Sequence, residues 1–100
     1  MPSGHVQATV NGTVVAESDV YELVEGNVYF PPAALKPEFF RKTDLHTHCG
    51  WKGDADYYTI KVGDTELENA AWYYPEPFDK ARHIKDYVAF YKNKVDVTAV

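Results

Sequence analysis

The stretch His5–Ser18, "HVQATVNGTVVAES", decides the fold. Apolar and polar residues alternate on both sides of Asn11-Gly12, the pair that best tolerates the positive φ of a type I′ turn, so strands are predicted at 5–10 and 13–18 around a hairpin. "VYELVEGNVYF" repeats the pattern, with strands at 20–25 and 28–30 around Gly26-Asn27. Pro31, Pro32 and Pro37 then remove ladder donors, which makes "PPAALKPEFFRKTD" a loop with one helical turn, pinned by Phe39 and Phe40.

Further along, strands are predicted at 45–49 and 55–62 around a "GWKG" turn, and at 66–74 after Gly63-Asp64. Pro75 and Pro77 end that run. In "DKARHIKDY", Ala81, Ile84 and Val88 recur at helical spacing and predict a turn or two of helix. "YVAFY" and "VDVTAV" flank "KNK" and predict a closing third hairpin. Many short strands at close spacing imply a single mainly β domain over residues 1–100. The expected architecture is a small antiparallel β-sandwich or partly open barrel built of hairpins, with at most one or two short helical segments.

Composition narrows function. Ten basic against fifteen acidic residues give a net charge of −5, which argues against nucleic acid as a partner. No apolar run nears the roughly 20 residues of a membrane span, and "MPSGHVQATV" lacks the segments of a signal peptide, so a cytoplasmic protein without membrane partners is expected. A single cysteine forbids an internal disulfide and agrees with a reducing compartment. No cofactor is indicated, and the protein partner, if any, is left open.

The chemistry concentrates in "THCGWKGDADYY", Thr47–Tyr58. Cys49 lies near Lys52, whose ammonium would favour the thiolate. Gly50 and Gly53 flank Lys52, so its ammonium and the adjacent amides could meet a small anionic ligand together. His46 and His48 share a strand face at the spacing of two metal ligands, but no third ligand joins them, and no metal is expected. Trp51, Trp72, Tyr29, Tyr58, Tyr73 and Tyr74 offer flat faces for a cleft wall; alternation sets Trp72 and Tyr74 opposite Tyr73. Glu17 and Glu22 fall where apolar neighbours alternate, so an inward carboxylate paired with Lys52 is expected, either as a structural ion pair or as the acid/base half of a site.

The order "VVAES", "YELVEGNVYFP", "THCGWKGDADYY", "NAAWYYPEP" and "IKDYVAFYKNKVDV" resembles domain of unknown function family 427, a nucleotidyltransferase-like family, nearly end to end. Thr47, Cys49, Lys52, Gly53, Ala55, Tyr57 and Tyr58 match its most specific motif, while Gly50 stands where members often carry proline. The resemblance implies a compact β-rich fold and supplies no catalytic residues. The candidate catalytic set read from the residues is therefore Cys49, Lys52 and Glu22. The candidate ligand-binding set is Lys52, Trp51, Trp72, Tyr58, Tyr29, Glu17 and His48. An anion-binding domain leads; an enzyme acting on a nucleotide or a protein-interaction module are the alternatives.

Overall fold

The computed structural model describes residues 3–99. Nine strands run β1 Ser3–Val10, β2 Thr13–Val20, β3 Glu22–Val24, β4 Asn27–Tyr29, β5 Phe40–Cys49, β6 Gly53–Val62, β7 Thr65–Tyr73, β8 Val88–Phe90 and β9 Asp96–Ala99. Three short 3-10 segments, Pro32–Ala34, Pro37–Phe39 and Asp79–Ile84, complete it. The strands form antiparallel sheets in the orders β2-β1-β9, β3-β4 and β5-β6-β7-β8. Phe30 and Val88 exchange both backbone hydrogen bonds, so the β3–β4 hairpin continues the four-stranded sheet beyond β8. The fold is a small mainly β domain whose sheets do not close into a barrel. No helix among the described residues is long and apolar enough to cross a membrane.

Asn11 and Gly12 take φ of 50° and 80°, as the first hairpin requires. Asn11 reaches across to donate to Thr65 Oγ1 at 3.0 Å, which docks this tip on β7. The four-stranded sheet separates two apolar clusters. On one face Val6, Ala8 and Val10 of β1 pack with Ile60, Ala71, Tyr73, Phe30 and Phe90. On the other, Val24 and Tyr29 from the β3–β4 hairpin and Ala81 and Ile84 from the last 3-10 segment cover Ala55, Tyr57, Tyr74 and Ala89. Tyr73 and Tyr74 thus fall on opposite faces, with Trp72 beside Tyr74, as strand alternation requires.

Four expectations are corrected. The second hairpin turns at Glu25-Gly26, with φ of 54° and 78°, one residue earlier than predicted, and Asn27 pairs with Val24. β5 begins at Phe40, not Leu45, and its first residues pair with Tyr58–Ile60. A register irregularity between Lys42 and His46 interrupts it and hides the alternation. The third hairpin does not form: β8 pairs with β7, and β9 crosses to the outer edge of β1. All three β8 residues are buried, so no alternation marks which neighbour it joins. Finally, Val88 belongs to β8, while Ala81 and Ile84 stay stacked on the 3-10 segment, where an i, i+3 pair shares a face.

Candidate functional site

The turn Gly50–Lys52 closes the β5–β6 hairpin, with Cys49 opposite Gly53. Gly53 is buried at φ +118°, and a Cβ there would stand 3.3 Å from the Glu76 carbonyl oxygen. Its glycine is required by this close approach of the chain after β7 and by the φ, which a side chain would strain. Gly50 faces open space. Lys52 accepts a hydrogen bond from the Phe78 amide at 2.9 Å, so the turn's backbone is fastened from outside the hairpin.

That fastening directs the Lys52 side chain inward, and the residue is only 7% exposed. Its ammonium lies 5.4 Å from the Trp51 ring centre and 5.6 Å from that of Tyr74, within cation–π range. It donates to Oε1 of Glu25 at the tip of the β3–β4 hairpin. Trp51 Nε1 donates to the other oxygen, Oε2, at 3.3 Å. The two donors hold the Glu25 carboxyl below its ordinary range, the Lys52 hydrogen bond first and the Trp51 one second. Burial works to lower the Lys52 pKa, but the bond to Glu25 and the Tyr29 and Tyr74 hydroxyls prevail and raise it. Lys52 is therefore charged throughout the physiological range.

Around this pair, burial pushes the Tyr74 phenol up to about 12 and raises that of Tyr29 as well. Tyr29 meets Trp72 edge to face at 6.3 Å and accepts a hydrogen bond from its Nε1 at 3.1 Å. Cys49 is half-buried against the same cluster. The structure thus gathers Lys52, Trp51, Trp72, Tyr29 and Cys49 at one end of one sheet face.

Other members of the sequence-derived set lie elsewhere. Neither Glu17 nor Glu22 partners Lys52. Between β1 and β2 the register shifts so that Ala8 faces Ala16 and Thr9 faces Val14, leaving Val15 as an extra residue. Val15 and Ala16 are both buried, and Glu17 emerges on the outside, where it accepts from Gln7 Nε2 at 3.1 Å and meets His5. Glu22 faces Tyr29 in the ladder, half-buried, and its Oε2 is sealed from solvent without a hydrogen-bond partner among the described residues. His48 pairs with Asp54 at 2.7 Å and His46 with Asp56 at 2.6 Å across the β5–β6 ladder. Among the described residues no three His, Cys, Asp or Glu side chains converge as a metal would need. Tyr58 stacks on Tyr73 at 4.6 Å on the opposite face. There it lines an open concavity of about 530 Å³ together with Pro32, Leu35, Phe40 and Lys42.

Glu25 is the site residue that sequence reasoning missed. A glutamate beside a turn glycine normally points into water, and its one anomaly, a positive φ on a residue with a long side chain, is not visible in the sequence.

The family model described as a domain of unknown function (DUF427) matches residues 2–100, and the chain belongs to that family. Comparison with curated proteins returns no match.

Proposed function

We propose that this member of the DUF427 family binds a small anionic ligand through Lys52, with Trp51 and Tyr74 flanking the charge and Tyr29 and Trp72 closing the apolar side. One observation carries the reading: a lysine 7% exposed has as its ion-pair partner a carboxylate that is itself half in solvent, on the tip of another hairpin. A purely structural buried lysine is better served by a buried partner, because desolvating the ammonium is costly and an exposed carboxylate returns little. A cation that is held, charged and covered by a movable side chain suits an exchangeable anion. A cytoplasmic setting belongs to the same reading, given one half-buried thiol and no other cysteine.

The geometry gives less support to chemistry on a nucleotide. Cys49 and His48 are neighbours on a strand and point to opposite faces, and His48 is engaged by Asp54, so the adjacent imidazole is not placed to act as the thiol's base. Strand addition by a protein partner at the outer edge of β5 is opposed by that strand's register irregularity and its charged side chains.

The test is a thermal-shift screen of nucleotides, sugar phosphates and organic acids on wild type and Lys52→Met. An anion at 100 times its dissociation constant should stabilise wild type by about 2.7 kcal/mol and leave Lys52→Met unmoved. A shift that survives in Lys52→Met, or a screen in which no anion stabilises wild type, would reject the reading.

A further inference from the structure

The Glu25 carboxylate is held in a particular way. Its two oxygens are read by two separate donors, Lys52 Nζ on Oε1 and Trp51 Nε1 on Oε2. The donors come from adjacent residues of the turn that the Phe78 amide fastens, whereas the carboxylate comes from another hairpin, so taking the carboxylate away leaves both donors on their own element. The occupant is also placed at some conformational expense. Glu25 sits at φ +54°, where glycine or asparagine is the usual choice, although the neighbouring position of the same turn is already glycine. A long acidic side chain at that position is explained by what its carboxylate does at the far end.

We infer that the Lys52–Trp51 seat takes a small monocarboxylate, and that Glu25 is its built-in competitor, filling the seat when no ligand is present. This rests on the reading of Lys52 as an anion seat and narrows it to one class. A planar carboxylate offers two oxygens for two donors and one negative charge for one ammonium. A phosphate dianion would bring a second charge into a seat walled by Trp51 and Tyr74, where a single cation cannot offset its lost hydration. Binding requires only that the Glu25 side chain rotate outward, and that side chain is already 51% exposed. Lys92 holds the Gly26 carbonyl at 2.8 Å, so the hairpin tip stays in place while the side chain moves.

The experiment follows the Trp51 indole N–H by heteronuclear NMR, with the resonance assigned through its loss in Trp51→Phe. Propionate, neutral propionamide and inorganic phosphate are titrated into wild type, Glu25→Gly and Glu25→Gln. Glycine suits the positive φ, and glutamine keeps the side chain's length without its charge; each variant's spectral dispersion reports folding, and either suffices for the comparison. With the competitor removed, propionate should bind about tenfold more tightly than to wild type, as expected when an internal occupant fills the seat in about nine molecules of ten. Propionamide and phosphate should bind more weakly than propionate. If phosphate shifts the resonance of the Glu25 variants as well as or better than propionate, the anion seat stands and its assignment to carboxylates falls. If propionate binds wild type and both variants equally, Glu25 is not a competitor. Silence of the resonance toward all three probes in the variants would remove the inference and the anion seat together.

Discussion

Gly53 and Lys52 sit side by side yet answer to different forces, and single substitutions separate them. Gly53→Ala would place a Cβ 3.3 Å from the Glu76 carbonyl oxygen in a φ region that side chains avoid. It should cost about 1–3 kcal/mol in urea titration, and a cost near zero would mean that the chain after β7 yields freely. Lys52→Met removes a buried charge whose partner is free to rehydrate, so stability should change by less than about 1 kcal/mol. A much larger loss would place the ion pair in the folding energetics instead of a site. The pH dependence has a definite sign. The Glu25 carboxyl is depressed by Lys52 and Trp51, so the pair's contribution is present above the ordinary value of 4.5 and disappears as pH falls through the lower folded value. Any stability difference between wild type and Lys52→Met should accordingly close in acid. That Lys52 is singular was legible in its glycine-flanked turn; that Glu25 faces it was not, because the contact joins tips of two hairpins distant in sequence.

Strand elements were readable wherever alternation survived and lost wherever a bulge reset it. β1, β2 and β6 announce themselves through period-two patterns, but Val15 in β2 is an extra residue that turns Glu17 outward and makes a sequence-predicted inward carboxylate an exposed one. A second reset occurs opposite β6, where Asn69 takes φ 52° and its amide donates to the buried Thr59 hydroxyl at 3.1 Å. The outward turn of Glu17 has an electrostatic consequence along the β1–β2 ladder. His5 meets Asp19 at 2.7 Å and Glu17 at 3.3 Å, and these hydrogen bonds, Asp19 first, raise its pKa above 6.5. Its contribution to holding β1 on β2 is therefore complete below pH 6.5 and lost as pH rises through the raised value. An NMR titration should place the His5 midpoint above 6.5, with Asp19→Asn moving it down. A wild-type midpoint at or below 6.5 would show that the ladder contacts do not persist in solution.

The molecule as a whole is closed by a segment that changes sheets. β8 completes the four-stranded sheet and β9 returns to β1, and between them Val95 is buried in the first cluster while Tyr91 packs against Trp72 at 4.7 Å on the other face. Local pattern cannot disclose such a crossover, since a hairpin and a sheet change share the same alternation and the same "KNK" turn. What the composition does disclose is tyrosine, eight in all, and the fold distributes them through both clusters and the link between them. Burial pushes Tyr73 and Tyr74 up to about 12, and Tyr91 reaches about 12 chiefly through its hydrogen bond with Tyr57 and secondarily through burial. A phenol raised in the folded state stabilises fully below its unfolded value of 10.0 and loses that contribution as pH climbs through the folded one. The unfolded chain releases these protons first, so unfolding becomes progressively easier between pH 10 and about 12. Lys52 adds in the same direction, because its pKa is raised above 10.5 and its contribution, complete below that value, is lost as pH climbs through the raised one. Tyrosinate absorbance recorded alongside near-ultraviolet circular dichroism should therefore show Tyr73, Tyr74 and Tyr91 ionising late. Their ionisation should appear only as tertiary structure disappears. Were all eight to ionise together near pH 10 with the dichroism intact, the aromatic packing on both sheet faces would be looser than this structure requires.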